Sequence, residues 1–450
     1  MSNHSAQDVL GLIDRQKLGW TQISTIILCF CVMLLDGFDT QSIGYAAPAI
    51  IKDWHIDKVL LGPVFSAGLF GLMIGAFVFG TVADHLGRKR TITLCVLIFG
   101  CFTLAIIWAT NLDQLLVLRF LAGVGLGGAM PNAIALISEN MPKHIRATAV
   151  TIMVTGFSIG AALGGLLAAK MLAAYGWVAV FYVGGLVPLA LVPVLILWLP
   201  ESVRLLVLMD HPAAKVAALL RKMVPSAVIP AGTTFTVAES KVRGFTVWHL
   251  FREGRALPTA LLWTAFFMNL IGLYFLSNWL PTVINAVGIP VEKAILVTSM
   301  FQVGGTVGAI TIGRLIDNFG AYRVLTLAFT GASLCIFLIG SQVSSLALLT
   351  TAVFCAGFFV VGGQIGANAL AGVFYPTAFR STGVGYALGV GRIGSVIGPL
   401  LGGLLLAMAL PHATLFAIAA IPAMCAAVAI FAMGRATLRI GSATPAYARP

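Results

Sequence analysis

The sequence predicts an all-α membrane protein of twelve spanning helices, arranged as two six-helix pseudo-repeats. Three observations predict it: an apolar excess, the number of long hydrophobic runs, and an internal repeat. Of the 450 residues, 59% are hydrophobic and 9% charged, whereas soluble domains run near 25% charged. A chain of this size folded in water leaves too much surface exposed for so few charges to cover. A bilayer as solvent removes the difficulty.

A spanning helix needs about 20 mainly apolar residues. Such runs lie near 22–50, 59–82, 91–109, 113–138, 148–171, 177–198, 257–286, 293–316, 323–341, 344–373, 381–408 and 413–433. The long polar stretch, 199–256, carries Arg204, Lys215, Arg221, Lys222, Lys241, Arg243, Arg252 and Arg255. It separates an N-terminal half, 1–198, from a C-terminal half, 257–450, and its segment Pro225 to Pro230 reads as a linker. Residues 1–20 are polar and mixed in charge, so no cleaved leader is expected and the first apolar run inserts as a helix.

The net charge of +12 raises nucleic acid as a partner, and the distribution of charge argues against it. With the N-terminus inside, Arg88, Lys89, Arg90, Lys143, Arg146, Arg314, Arg323, Arg380, the central loop, Arg435, Arg439 and Arg449 all fall on the inner side. Lys52, Lys58, Lys170 and Lys293 fall outside. This is the positive-inside pattern, so both termini are expected in the cytoplasm and no nucleic acid is expected. The seven cysteines lie in apolar runs without metal-ligand spacing. No metal or cofactor is expected.

The third observation is the repeat. The segment Gly80 to Arg90, with Asp84, Gly87 and Arg88, matches Gly313 to Arg323, with Asp317 and Gly320. Pro142, Arg146 and Thr148 match Pro376, Arg380 and Thr382; Gly160 and Gly164 match Gly394 and Gly398; Pro48 matches Pro281. The pairs are offset by about 233 residues. Such weak symmetry belongs to transporters built from two six-helix halves with a site at the repeat interface. Two glycine patterns, Gly123-x-Gly125-x-x-Gly128 and Gly389-x-Gly391-x-x-Gly394, imitate a dinucleotide fingerprint. Both lie inside apolar helices with no preceding strand, so they read as helix-packing residues.

The segment 80–90 and its copy at 313–323 resemble the signature loops of the major facilitator superfamily. Leu35-Asp36-Gly37-Phe38-Asp39 resembles the first-helix element of the aromatic acid:proton symporters within it, the group of 4-hydroxybenzoate, benzoate and hydroxyphenylpropionate permeases. Leu118-Arg119-Phe120, Met130-Pro131-Asn132, Ser138-Glu139, Leu199-Pro-Glu-Ser202, Asn278-Trp-Leu-Pro281 and Gly391-Arg392 support the resemblance in order along the chain. It implies an inner-membrane, multi-pass, monomeric permease, not an enzyme, whose partners are an aromatic carboxylate, protons and the lipid bilayer.

Ionisable residues at mid-membrane are costly, roughly 2.5–3.5 kcal/mol on insertion scales, and mark functional sites. Asp36 and Asp39 lie three apart on one face of the first helix. Two carboxylates that close repel when both are ionised, so the pair is a candidate proton carrier. The offset puts Asn269 and Gly272 at the equivalent places in the second half. Arg392 offers a planar donor fork for the substrate carboxylate, or a fixed partner for Asp36 or Asp39. Arg119 either holds an internal acid or helps bind substrate. Glu139, about 30 Å along the same helix from Arg119, and Arg146 suit an inner gate of ion pairs. So do Gly80, Asp84, Gly87 and Arg88, with Asp317 and Arg380 in the second half. Asp84 is expected near a helix N-terminus, where the dipole stabilises it. Phe266, Phe267, Tyr274, Trp279, Phe358 and Phe359 are candidates to cover an aromatic ring.

The reaction implied is proton-coupled uptake of an aromatic carboxylate by alternating access. The alternatives are proton-coupled movement of another organic acid or sugar-like solute, and proton-antiport export.

Overall fold

The computed structural model describes residues 6–14, 18–209, 211–224, 233–236, 250–252, 254–341, 345–375 and 380–443, less the side chains of 6, 7, 10, 380, 381 and 439–443. The expected linker at Pro225 to Pro230 lies outside the described residues. Fifteen α-helices are described. They are α1 Val9–Asp14, α2 Trp20–Trp54, α3 Leu61–Leu86, α4 Arg88–Ala105, α5 Leu112–Asn140, α6 Lys143–Tyr175, α7 Val178–Trp198, α8 Val203–Leu208, α9 Ala213–Met223, α10 Ala256–Ala286, α11 Val291–Phe319, α12 Ala321–Ser341, α13 Leu346–Phe374, α14 Arg380–Ala407 and α15 His412–Ala443. Among the described residues, twelve helical segments are long and apolar enough to cross a membrane, at the twelve places the hydrophobic runs predict. A three-residue parallel ribbon, β1 Ala6–Asp8 with β2 Thr234–Thr236, is the strand content described.

The helices are mostly longer than the apolar runs at the ends where polar residues continue them. The central loop holds more structure than its polarity suggests. Along α9, Val216, Ala217, Leu220 and Met223 are buried while Lys215, Arg221 and Lys222 are exposed, the pattern of a surface helix with one apolar stripe. That stripe packs with Val9 and Ile13 of α1 and with Val203 and Leu206 of α8 into a small core. Ser202 caps α8 by accepting a hydrogen bond from the Leu205 amide.

Close packing divides the chain into two units. The first comprises Met1–Thr40, Phe70–Ala161 and Val178–Lys241; the second comprises Gln41–Leu69, Ala162–Trp177 and Val242–Pro450. In lipid, apolar side chains gain little by meeting one another, so helices associate through close van der Waals packing at small residues. In the first unit, Gly71 and Gly75 of α3 lie against the carbonyl oxygens of Phe120 and Val124 of α5. In the second, Gly304 and Gly308 of α11 lie against those of Phe354 and Phe358 of α13. Gly160 meets the Leu34 carbonyl and Gly394 meets the Phe267 carbonyl. These are the same contacts made twice, at the offset read from the sequence. Gly125, Gly128, Gly391 and Gly394 all lie inside helices against neighbouring helices, as expected for packing glycines.

The second unit contains segments from the first half of the sequence. Ser66 donates to the Val396 carbonyl at 2.7 Å, and Phe65 meets Trp279 edge to face at 4.9 Å. Trp279 donates in turn to the Pro399 carbonyl at 2.9 Å. Gly44 approaches the Ser277 carbonyl, a Cβ there standing 3.0 Å from it, and Gly165 lies against the Ser299 hydroxyl. Within this unit, the segments of α2, α3 and α6 it contains thus pack onto α10, α11 and α14.

The glycines separate by what a methyl group would meet. Gly304→Ala is expected to lower the thermal midpoint of the purified protein, because the new Cβ overlaps the Phe354 carbonyl. Gly385→Ala meets nothing within 4 Å and is expected to be neutral or to stabilise by up to about 1 kcal/mol. Equal shifts for the two variants would refute the packing account.

Candidate functional site

In the first unit the chemistry gathers around α2. Asp36 and Asp39 are both buried, as is Arg119 of α5. Gly37, between the acids, allows α6 to approach until the Phe157 carbonyl touches it, which leaves that face of α2 without room for a side chain. Asp39 is 0% exposed and receives Arg119, itself 4% exposed, at 3.3 Å between Oδ2 and Nη1. Arg119 Nη2 also donates to the Asp39 carbonyl oxygen at 3.4 Å, and the Thr103 hydroxyl donates to Oδ1 at 2.8 Å. A charge buried this far persists when paired and hydrogen-bonded. Arg119 thus holds an internal acid, one of the two roles the sequence leaves open for it. The hydroxyl of Thr40, one turn on, donates to Asp36 Oδ1 at 3.2 Å.

In the second unit Arg392 of α14 is half-buried, and its Nη1 donates to the Tyr274 hydroxyl of α10 at 3.3 Å. It forms no ion pair among the described residues. A chain of amides lies along α10 and α13 in the same unit. Asn269 Nδ2 donates to Gln364 Oε1 at 2.8 Å and to the Val360 carbonyl at 3.2 Å; Gln364 Nε2 donates to Asn368 Oδ1 at 3.3 Å. Asn269 is 2% exposed, and its Oδ1 has no partner among the described residues. Gly272, one turn further along α10, is buried, yet a Cβ built on it meets no atom within 4 Å. Asn269 enters the sequence reading only as the counterpart of Asp36; Gln364 and Asn368 are absent from it. Three amides on two adjacent apolar helices, two of them buried, are the signal that would find them.

Of the aromatic candidates, Tyr274 holds Arg392. Phe266 is core packing beside Gly391, Trp279 is fixed by the Pro399 carbonyl, and Phe358 stacks edge-on to Phe359 at 5.1 Å. The backbone of Phe267 is covered by Gly394.

A third group lies at the α3–α4 turn of the first unit. Gly87 has φ +98°, a left-handed conformation that favours glycine; Gly320 repeats it at +85°. Arg88 bonds Asp84 at 3.0 Å, Glu139 at 3.6 Å and Asn132 Oδ1 at 3.4 Å. Glu139 also receives Arg204 at 3.1 Å. Arg146, in the first turn of the next helix, turns instead to Asp14 at 3.6 Å, where Lys143 joins it at 3.0 Å. Asp84 sits in the last turn of α3, not at a helix N-terminus. At the N-terminus of α4 the acid present is Glu201, whose Oε1 accepts from the Lys89 amide at 3.1 Å and from the Ser202 amide at 2.9 Å. Asp14, Asn132, Glu201 and Arg204 complete a network that sequence reading leaves half-drawn. A Cβ at Gly80 meets nothing within 4 Å; Asp317 is exposed and forms no ion pair among the described residues. The Arg380 side chain lies outside the described residues.

Comparison with known proteins follows the same lines. The Major Facilitator Superfamily profile matches residues 29–296 and 262–445. The chain is 41% identical to the gallate transporter of Pseudomonas putida, over 98% of each chain. It is 40% identical to the 4-hydroxybenzoate transporter PcaK of Pseudomonas putida, over 95% of this chain and 96% of that one. Among solved structures, the D-xylose-proton symporter superposes with a TM-score of 0.72 at 18% identity, covering 91% of this chain and 97% of that one; a likeness at that identity speaks for the fold alone. On these matches the chain belongs to the Major Facilitator Superfamily and groups, within it, with these permeases.

Proposed function

We propose that the protein imports an aromatic carboxylate together with protons, by alternating access across the bacterial inner membrane. It works as a monomer of two six-helix halves, 1–198 and 257–450, with both termini and the loop 199–256 in the cytoplasm. The named relatives carry gallate and 4-hydroxybenzoate, both aromatic carboxylates. The observation that carries the reading is Arg392: a cation inside a spanning helix, steadied by a phenol, with no acid paired to it among the described residues. It has donors left for an anion.

Energetics favour coupling. An anion entering a negative interior works against about 2.3 kcal/mol per 100 mV. One proton carried with it cancels that cost, and a pH gradient then adds drive. Asp36 or Asp39 takes the proton; Arg392 takes the carboxylate. Arg119 holds Asp39 and reaches the substrate only if that pair opens during the cycle. Gly80, Asp84, Gly87, Arg88, Glu139 and Arg146 form the inner gate, with Asp317 and Arg380 as its second-half counterpart.

Five outcomes are expected. Labelled 4-hydroxybenzoate or gallate accumulates in proteoliposomes only while the outside is more acidic, and a protonophore abolishes the accumulation; accumulation indifferent to the gradient would refute symport. Asp39→Asn leaves Arg119 buried and unpaired, with an expected loss of about 3–5 kcal/mol and of uptake. Asp39→Asn/Arg119→Gln recovers the thermal midpoint but not uptake, while Asp36→Asn keeps the midpoint and loses uptake; a transporting double variant would remove Asp39 from the proton pathway. Arg392→Lys, which keeps the charge and loses the planar fork, raises the KM for uptake about tenfold or more. An unchanged KM would place the carboxylate elsewhere.

A further inference from the structure

The first unit contains a cavity of about 1420 Å³ walled by α2, α4, α7, α8 and α9, larger than the roughly 300–1,000 Å³ of ordinary small-molecule sites. None of the substrate, proton or gate assignments uses it as a binding site. Its lining changes character along each spanning helix. On α2 it runs from Trp20 and Thr21 to Ile27; on α4 from Lys89 and Arg90 to Leu97. Seven residues of helix cover about 10 Å, the step from a headgroup to the start of an acyl chain. The apolar end is open to the surroundings: Ile27 is 50% exposed, Ile196 54% and Leu97 40%, while Trp20 and Trp198 stand exposed at the other end. Two tryptophans at the end of spanning helices mark the membrane–water boundary.

The polar end is a basic rim. Lys89 and Arg90 line it from α4, and Lys215 and Lys222 line it from α9. Glu201 is the carboxylate among the lining residues, and its Oε1 is engaged by the Lys89 and Ser202 amides. Helix α9 is held over this end of the spans rather than floating beside them. The Thr21 hydroxyl donates to the Lys222 carbonyl at 3.0 Å and Gln22 Nε2 to the Met223 carbonyl at 3.4 Å. The lysines are therefore carried on a built rim.

We infer that this cavity binds one anionic phospholipid, its phosphate among Lys89, Arg90, Lys215 and Lys222 and its acyl chains along Ile27, Leu97 and Ile196. A zwitterionic lipid matches the apolar slope but not the four cations facing a single engaged carboxylate. A free phosphate matches the cations but leaves the slope uncovered. The site is independent of which solute is transported.

The test is native mass spectrometry of the full chain in detergent, titrated with phosphatidylglycerol, phosphatidylcholine or inorganic phosphate. Phosphatidylglycerol is expected to bind at one site, with phosphatidylcholine and inorganic phosphate binding at least tenfold more weakly. Near a membrane surface each lysine contributes about 1 kcal/mol, so Lys215→Gln/Lys222→Gln is expected to weaken phosphatidylglycerol about thirtyfold. Both lysines are exposed, and the thermal midpoint of the lipid-free variant checks that it is folded. Equal binding of the two lipids, equal binding of inorganic phosphate, or an affinity unchanged in the double variant would each overturn the inference.

Discussion

Backbone meets backbone at glycine throughout this bundle, and the rest of the structure depends on it. Between α3 and α5, and again between α11 and α13, a glycine Cα rests on a carbonyl oxygen of its neighbour. In water, apolar burial would press the helices together; in lipid that force is nearly absent. What remains is contact, and contact is greatest where no side chain intervenes. The rigid frame so made is what allows a carboxylate and a guanidinium to be buried at 3.3 Å in mid-span. A looser frame would leave each ion partly unsatisfied, at a cost of several kcal/mol.

On that symmetric frame the chemistry is asymmetric. At the place of Asp36 the second half has Asn269, and at the place of Asp39 it has Gly272. An amide has nearly the shape of a protonated carboxyl and cannot ionise, so Asn269 joins a neutral chain with Gln364 and Asn368. Asp36 and Asp39 thus lie in one unit, and Arg392, which forms no ion pair among the described residues, lies in the other. Two copies of one scaffold have been given different polar interiors while the glycine contacts stay the same.

The spans were legible because bilayer thickness imposes a length and an apolar composition that survive in any sequence. The repeat was legible because the turn glycines, Gly87 and Gly320, must each take a positive φ. Partner choice among charges was not legible. Glu139 lies closer in sequence to Lys143 and Arg146 than to Arg88 or Arg204, yet it pairs with the latter two. Helix ends brought together by tertiary packing decide that, and no local spacing encodes it. Arg119 is intermediate: its burial was readable, while its attachment to Asp39 required knowing which face of α5 meets α2. The helices of the central loop were missed because low mean hydropathy hid an apolar stripe that only the 3.6-residue period of α9 reveals.

The bonds from Thr21 and Gln22 to the last carbonyls of α9 have a mechanical meaning. They fasten the central loop to the first turn of α2, the helix that bears both acids. Helix α9 is in turn packed onto α8, whose Arg204 pairs with Glu139. What the sequence presents as a polar tether is a continuous line of contacts, which joins the helix of the two carboxylates to the ion pairs at the α3–α4 turn.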